Sequence, residues 1–194
     1  MRSPDGQSEP RPKGRGQAST GTHTMSTGLS GEPLGYFLTW TCYGTWLHGD
    51  PRGSVDRATN AFDSPTVGPN SSRLAYERTY LLKHPPFVLD AHGRAVVDET
   101  VRLVCSRRGW ELLALNVRTN HVHAVVAGAD APERILGAFK AWATRSLVAE
   151  HVVTPGTKVW TRHGSTRYLW TERDVKGACR YVTEGQGPAL PMGR

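Results

Sequence analysis

Stretches typical of helices alternate with stretches typical of strands along this 194-residue chain, and this alternation constrains the fold more than any other feature. One stretch places Val97, Val101 and Val104 on a single helical face. The run Tyr36–Tyr43 is instead rich in aromatic and β-branched side chains, as is typical of a strand. The predicted elements are strands at about 36–43, 110–117, 121–127 and within 158–170, with helices at about 93–108, 132–150 and 172–184 and a short one near 73–82.

This order of elements predicts an α+β protein with a ferredoxin-like βαββαβ fold. Helices would cover one face of an antiparallel sheet, and a further C-terminal helix carrying Tyr181 would follow the last strand. Thr171 and Asp174 provide a capping-box-like start for that helix. Because many unrelated proteins share this fold, the fold alone does not define a function.

The rest of the chain divides into tails and one long loop. Residues 1–33 are rich in Gly, Ser, Pro and Thr, so they are predicted to be a disordered N-terminal tail, with Met25 as an alternative start. Residues 34–187 form the predicted domain, interrupted by a long loop or insertion at 44–86. Residues 188–194 are a short C-terminal tail.

The net charge of +7 favours an anionic partner, and nucleic acid first among anions. Arginine outnumbers lysine, which suits bidentate contacts to phosphate, although a merely soluble basic surface has the same composition. Three cysteines far apart fit a reducing cytoplasm better than a disulfide framework. No apolar run is long enough for a membrane span or a signal peptide, so no membrane partner is expected.

A His-x-His pair opens the strand predicted at 121–127. Successive side chains of a strand alternate faces, so His121 and His123 project to one side and Val122 to the other. Two neutral imidazoles on one side supply half of a divalent-metal site. The same pattern also occurs where histidines are simply packed on a sheet.

Tyr181, on the final predicted helix, is the candidate nucleophile. A phenol ionises at about pH 10, so it attacks at neutral pH when its electrophile is polarised or its phenolate is stabilised. The alternatives are that Tyr181 only packs on the sheet, or that Tyr168 is the nucleophile. His151 and His163 are predicted to be exposed polar residues rather than ligands.

The histidine pair, the basic ferredoxin-like domain and the helical tyrosine followed by a glutamine together resemble the HUH endonucleases. More narrowly, the chain is similar to the IS200/IS605-type single-tyrosine transposases and their REP-associated relatives. The resemblance covers about residues 36–187. Its strongest local matches are Asn-His-Val-His at 120–123 and Arg-Tyr-Val at 180–182, and the stretch 41–57 is similar to a signature of one subgroup.

The resemblance implies a DNA transposase that cleaves and rejoins single-stranded or hairpin DNA. His121 and His123 would hold Mg²⁺ or Mn²⁺, and Tyr181 would attack phosphorus to leave a 5′-phosphotyrosine and a free 3′-hydroxyl. It also implies a homodimer in the cytoplasm of a prokaryote, associated with the nucleoid.

The third metal ligand is where this sequence departs from the family's pattern. The family usually has Gln or Asn one helical turn after the tyrosine, and that position is Gly185 here. We expect Gln186 to be the third ligand, because Gly185 and Gly187 let the helix end unwind, with Glu184 as the second choice.

Eight basic residues are predicted to contact DNA. Some lie in the glycine- and proline-rich loop, where His48, Asp50 and Asp56 add charges that solvent or loop pairing explains nearly as well. The others are interleaved with Trp160, Tyr168 and Trp170, a pattern typical of backbone tracking and base stacking. The eight are Arg52, Arg57, Lys158, Arg162, Arg167, Arg173, Lys176 and Arg180.

Two other functions compete with the transposase. A catalytically weak or domesticated hairpin-DNA-binding protein of the same fold would explain the displaced glutamine. A metallohydrolase without a covalent step is disfavoured, because no dense Asp, Glu and His set surrounds the histidine pair in the sequence.

Overall fold

The computed structural model describes residues 31–47, 49–51 and 68–191. Most of the predicted N-terminal tail, including Met25, therefore lies outside the described residues. The elements are β1 (Gly35–Thr41), α1 (Ser71–Tyr76), a π-helical turn (Glu77–Leu81), α2 (Ala91–Arg108), β2 (Glu111–Val117), β3 (His121–Ala127), α3 (Pro132–Ala149), β4 (Ser165–Leu169) and α4 (Glu172–Glu184).

The four strands form one antiparallel sheet in the order β2-β3-β1-β4. Helix α2 connects β1 to β2, and α3 connects β3 to β4, so the chain has the predicted ferredoxin-like βαββαβ topology. The prediction of the fold class is confirmed. In the central pair of strands, Thr39 lies opposite His123 and Thr41 opposite His121.

The main core lies between one face of the sheet and helices α2 and α3. Leu38 and Val122 from the sheet, Val97 from α2 and Phe139 from α3 are fully buried there. Side chains of alternate residues on β1 and β3 fill this core, as the strand period requires. These two helices cover one face of the sheet, as predicted.

Helix α4 packs on the opposite face, over a second and smaller apolar cluster. Ala178 and Val182 of α4 lie against Ala114, Val125 and Leu169 of the sheet. Val125 has the same strand parity as His121 and His123, so α4 covers the face from which the histidines project. The central strand β3 is therefore buried on both faces.

The stretch at 158–170 contains one strand. One or two short strands were expected there; one is present, Ser165–Leu169, and Trp160 makes an isolated bridge to Cys42. The ammonium group of Lys140 donates hydrogen bonds to the carbonyl oxygens of Thr161 and Arg162. These carbonyls are satisfied by a side chain, so a strand ladder is not needed there.

Other element boundaries differ by a few residues. The short helix predicted near 73–82 begins at Ser71 and continues after Tyr76 as the π-helical turn. Strand β1 ends at Thr41 rather than at Tyr43. Across the described ranges, no helix combines the length and apolarity needed to cross a membrane.

Candidate active site

The histidine pair and the candidate nucleophile meet on the α4 face of the sheet. The ring centroids of His121 and His123 are 4.7 Å apart, and the ring of Tyr181 lies 5.7 Å from that of His123. Phe37 of β1 contacts both the His123 ring and the Tyr181 ring. Tyr181 is half exposed, so a large substrate can reach its phenol.

Each histidine is held through its Nδ1 atom. Nδ1 of His123 lies 2.7 Å from the hydroxyl of Thr39, its cross-strand neighbour. Nδ1 of His121 lies 2.8 Å from the side-chain oxygen of Asn120. Such contacts fix the ring orientation and the tautomer of histidine ligands and leave Nε2 for the metal.

Thr39 and Asn120 were not predicted to have a role at this site. Asn120 was inside the motif at 120–123, so its position next to His121 was a usable signal. No sequence signal identifies Thr39, because its contact depends on the register between β1 and β3.

Gln186 reaches the histidines because α4 ends before it. The N–H of Gly185 donates to the Tyr181 carbonyl oxygen at 2.9 Å, after which the chain leaves the helix. The Gln186 amide nitrogen donates to the same carbonyl at 3.4 Å, and its Oε1 lies 3.3 Å from Nε2 of His121. Glu184, the second choice for a ligand, is the exposed last residue of α4.

The donor atoms of this cluster fit a divalent cation. In the tautomer that donates from Nδ1 to the side-chain oxygen of Asn120, Nε2 of His121 carries the lone pair. The lone pair of Nε2 then faces the lone pairs of Gln186 Oε1, and a cation accepts both. In the part of the chain that the structure describes, no three His, Cys, Asp or Glu residues gather at a metal-binding distance, so this donor set is two imidazoles and an amide.

Burial keeps His123 neutral. Desolvation, and next the neighbouring His121, lower the pKa of His123 to about 4, while its hydrogen bond with Gln186 acts in the opposite direction. A neutral imidazole is the form that binds a metal. His123 is therefore ready to act as a ligand at neutral pH.

Three of the predicted DNA-binding cations lie along the outer side of α4. Arg173, Lys176 and Arg180 line a shallow hollow together with Glu172 and Gly177. All three cations are exposed, and the last immediately precedes Tyr181. This arrangement brings positive charge to the helix that carries the phenol.

The other predicted cations lie on β4, in the segment before it, or outside the described residues. Arg167 is exposed on β4 opposite Phe37, and Lys158 and Arg162 are exposed in the segment before β4. Arg52 and Arg57, with His48 and Asp56, lie outside the described residues, and Asp50 is buried.

The aromatic residues interleaved with these cations divide into two groups. Trp160 is buried in the main core, whereas Tyr168 and Trp170 are exposed and stack in parallel with centroids 5.8 Å apart. Tyr168 also contacts Tyr36, on the face opposite the histidines. Tyr181, not Tyr168, is therefore the tyrosine that the fold brings to the histidine pair. His151 and His163 are exposed.

Comparison with known proteins gives matches among solved structures only. No family model and no curated protein matches the chain. A REP-associated tyrosine transposase bound to a REP hairpin is 12% identical with a TM-score of 0.41, covering 81% of this chain and 70% of that chain. A candidate transposase from Deinococcus radiodurans R1 is 17% identical with a TM-score of 0.42, covering 85% of this chain and 100% of that chain. Similarity this low does not define the chemistry of the site, which depends on the site's own residues.

Proposed function

We propose that this chain is a metal-dependent single-tyrosine DNA transposase that cleaves and rejoins single-stranded or hairpin DNA. One observation carries the proposal: His121 and His123 from β3, Tyr181 from α4 and Gln186 from the segment after it converge on one face of the sheet. A nucleophile beside a set of metal donors is what a covalent, metal-assisted phosphoryl transfer requires.

Mg²⁺ or Mn²⁺ held by His121, His123 and Gln186 would withdraw electron density from the scissile phosphate. The Tyr181 oxygen then forms a bond to phosphorus, and the bond from phosphorus to the 3′ oxygen breaks. The phenol loses its proton, and the leaving 3′ oxygen gains one. The resulting 5′-phosphotyrosine retains the phosphodiester energy, so a 3′-hydroxyl can reverse the step and join strands.

The chain's own groups orient this step. Thr39 and Asn120 hold the histidine rings at Nδ1, so the metal would bind at the Nε2 atoms. The ligands are neutral, so negative charge at the site comes from the DNA phosphate. Arg173, Lys176 and Arg180 supply positive charge along α4 for the phosphates of the bound strand.

The proposal includes a homodimer that acts at the nucleoid of a prokaryotic cell. Strand β4 is at the edge of the sheet, where backbone groups are open to pairing with a second copy. Exposed Tyr168 and Trp170 lie on or next to this strand. Gel filtration with light scattering measures the oligomeric state directly.

The decisive experiment is detection of a covalent protein–DNA adduct. The protein is incubated with Mn²⁺ and a pool of random single-stranded hairpin DNAs labelled at the 3′ end. After cleavage, the fragment that carries this label is the one bound to Tyr181 through its 5′ phosphate. We expect an adduct that survives denaturing electrophoresis and disappears with chelator or in Tyr181→Phe. The matched control Tyr168→Phe should retain it.

Two outcomes would contradict the proposal. An adduct that persists in Tyr181→Phe would assign the nucleophile elsewhere. Binding of the hairpin pool without any adduct, unchanged in Tyr181→Phe, would favour a hairpin-DNA-binding protein that has lost turnover.

A further inference from the structure

The end of β2 is linked to α4 and to the segment after it by two side chains that the proposed chemistry does not use. Asn116 lies opposite His123, and its side-chain nitrogen donates to the Val182 carbonyl oxygen at 2.8 Å. Arg118 follows β2, and its guanidinium donates to the Pro188 carbonyl oxygen at 2.8 Å. Val182 follows Tyr181 directly, and Pro188 lies two residues after Gln186.

Arg118 also contacts the histidine strand directly. Its backbone N–H donates to the His121 carbonyl oxygen at 2.8 Å. One residue thus holds the backbone of His121 and, through its side chain, the segment that carries Gln186. Asn116 makes the corresponding connection between His123 and the last turn of α4, one residue after Tyr181.

We propose that Asn116 and Arg118 are positioning residues with separate tasks: Arg118 places Gln186 against His121, and Asn116 places Tyr181 against His123. The inference rests on the proposed function, because it assigns Gln186 to the metal and Tyr181 to the attack.

The segment after α4 is ordered only if residues outside it contact its backbone. Gly185 and Gly187 flank Gln186, and Gly187 has a φ of +73°. Glycines lose much conformational freedom on ordering, so a ligand between two of them is ordered only when contacts fix the chain. The nearest such contact after Gln186 is the bond from Arg118 to Pro188.

A second connection lies further along the same segment. The guanidinium of Arg94, buried in the N-terminal part of α2, donates to the Pro191 carbonyl oxygen and to that of Leu89. Because Arg94 is buried, its substitution would disturb folding. Arg118 is half-buried, so it is the better residue to test.

The experiment for Arg118 measures Mn²⁺ binding to the full chain without DNA, by electron paramagnetic resonance titration. Arg118→Met keeps the apolar stem and removes the donor, and we expect about tenfold weaker Mn²⁺ binding, the usual range for losing an outer-shell contact. Arg118→Lys keeps a charged donor and should recover most of the affinity. The matched control Arg102→Met removes an arginine that pairs with Asp98 on α2 and should bind as wild type.

A double-mutant cycle separates positioning from general destabilisation. If Arg118 acts through Gln186, Arg118→Met should weaken Mn²⁺ binding little further in a Gln186→Ala background. Additive losses in the two variants would overturn the inference, as would wild-type Mn²⁺ affinity in Arg118→Met or no Mn²⁺ binding by the wild-type chain.

Asn116 has a different expected readout. Asn116→Leu removes the donor and keeps the number and branching of side-chain heavy atoms. It should leave Mn²⁺ affinity unchanged while slowing adduct formation about tenfold at saturating Mn²⁺, because small misplacements of a reacting group slow the reaction. Wild-type adduct rates in Asn116→Leu would overturn this half.

Mn²⁺ binding and adduct formation test the role of Arg118 and the transposase activity separately. Weaker Mn²⁺ binding in Arg118→Met, in a protein that forms no adduct, would support the role of Arg118 and reject the transposase.

Discussion

Replacing Gly185 with alanine tests how closely the end of α4 is fitted around the nucleophile. Its φ of −81° and ψ of 2° are open to other residues, so alanine adds no backbone strain. A β-carbon there would instead lie 2.7 Å from the Tyr181 carbonyl oxygen and 3.0 Å from Cδ2 of the Tyr181 ring. Since β-carbons do not approach other atoms so closely, the helix end and the ring must shift.

We expect Gly185→Ala to lower the free energy of unfolding by about 1–3 kcal/mol, the usual cost of overpacking. The shift acts on Tyr181 itself and on the carbonyl that orients the Gln186 amide. Adduct formation in a single turnover should therefore slow by about 10-fold to 100-fold, because small misplacements of reacting groups have such effects. Urea unfolding and the 3′-labelled hairpin assay measure the two quantities.

Substitutions at two other glycines distinguish the steric contact with Tyr181 from effects of alanine on the backbone alone. Gly177→Ala, within α4, meets no atom within 4 Å and should raise stability by about 0.5–1 kcal/mol. Gly187→Ala also has open space, but its φ of +73° should lower stability by about 1 kcal/mol through backbone strain. If Gly185→Ala behaves as Gly177→Ala does, the contact with Tyr181 is refuted.

Two further predictions concern stability. In the presence of chelator, the pKa of His123 is about 4 in the folded chain and 6.5 unfolded, so its contribution is complete above pH 6.5 and is lost as the pH falls towards 4. Wild type should lose about 3 kcal/mol more than His123→Asn between pH 7 and pH 4 in urea titrations, and parallel curves for the two proteins would contradict the burial of this ring. Val182→Ala removes two buried methyl groups under α4 and should cost about 2 kcal/mol. In Val182→Ala, backbone hydrogen exchange should become faster in α4 more than in α2. In Val101→Ala, a substitution in the main core, exchange should become faster in both helices. The same pattern of exchange in the two variants would refute separate cores.

Local signals in the sequence were sufficient for most of the fold. Helix α4 begins where Thr171 and Asp174 predicted, and both hydrogen bonds of the capping box are present. Strand β3 has its predicted bounds because its apolar run is bracketed by turn residues. The order of these elements, with the handedness and pairing rules for such motifs, leaves few topologies.

The site depended on contacts that no local pattern encodes. The hydroxyl of Thr39 and Nδ1 of His123 are 84 positions apart in the chain and meet through the strand register. Gln186 lies at a spacing that an intact helix would turn away from Tyr181, and it reaches the histidines because α4 ends at Glu184. The polar contacts of Lys140 likewise decide that residues before β4 form no second strand.

The two apolar clusters allow α4 to separate from the sheet without unfolding of the rest of the domain. Helix α4 is attached through a few small side chains, whereas α2 and α3 share a core with most of the sheet. Its detachment from the sheet is therefore a sub-global event, with an opening free energy below that of complete unfolding. The phenol travels with this helix while the histidines stay on β3. The fraction of molecules able to react is then set by the docking equilibrium of α4, so a substitution under α4 such as Val182→Ala should lower reactivity together with stability.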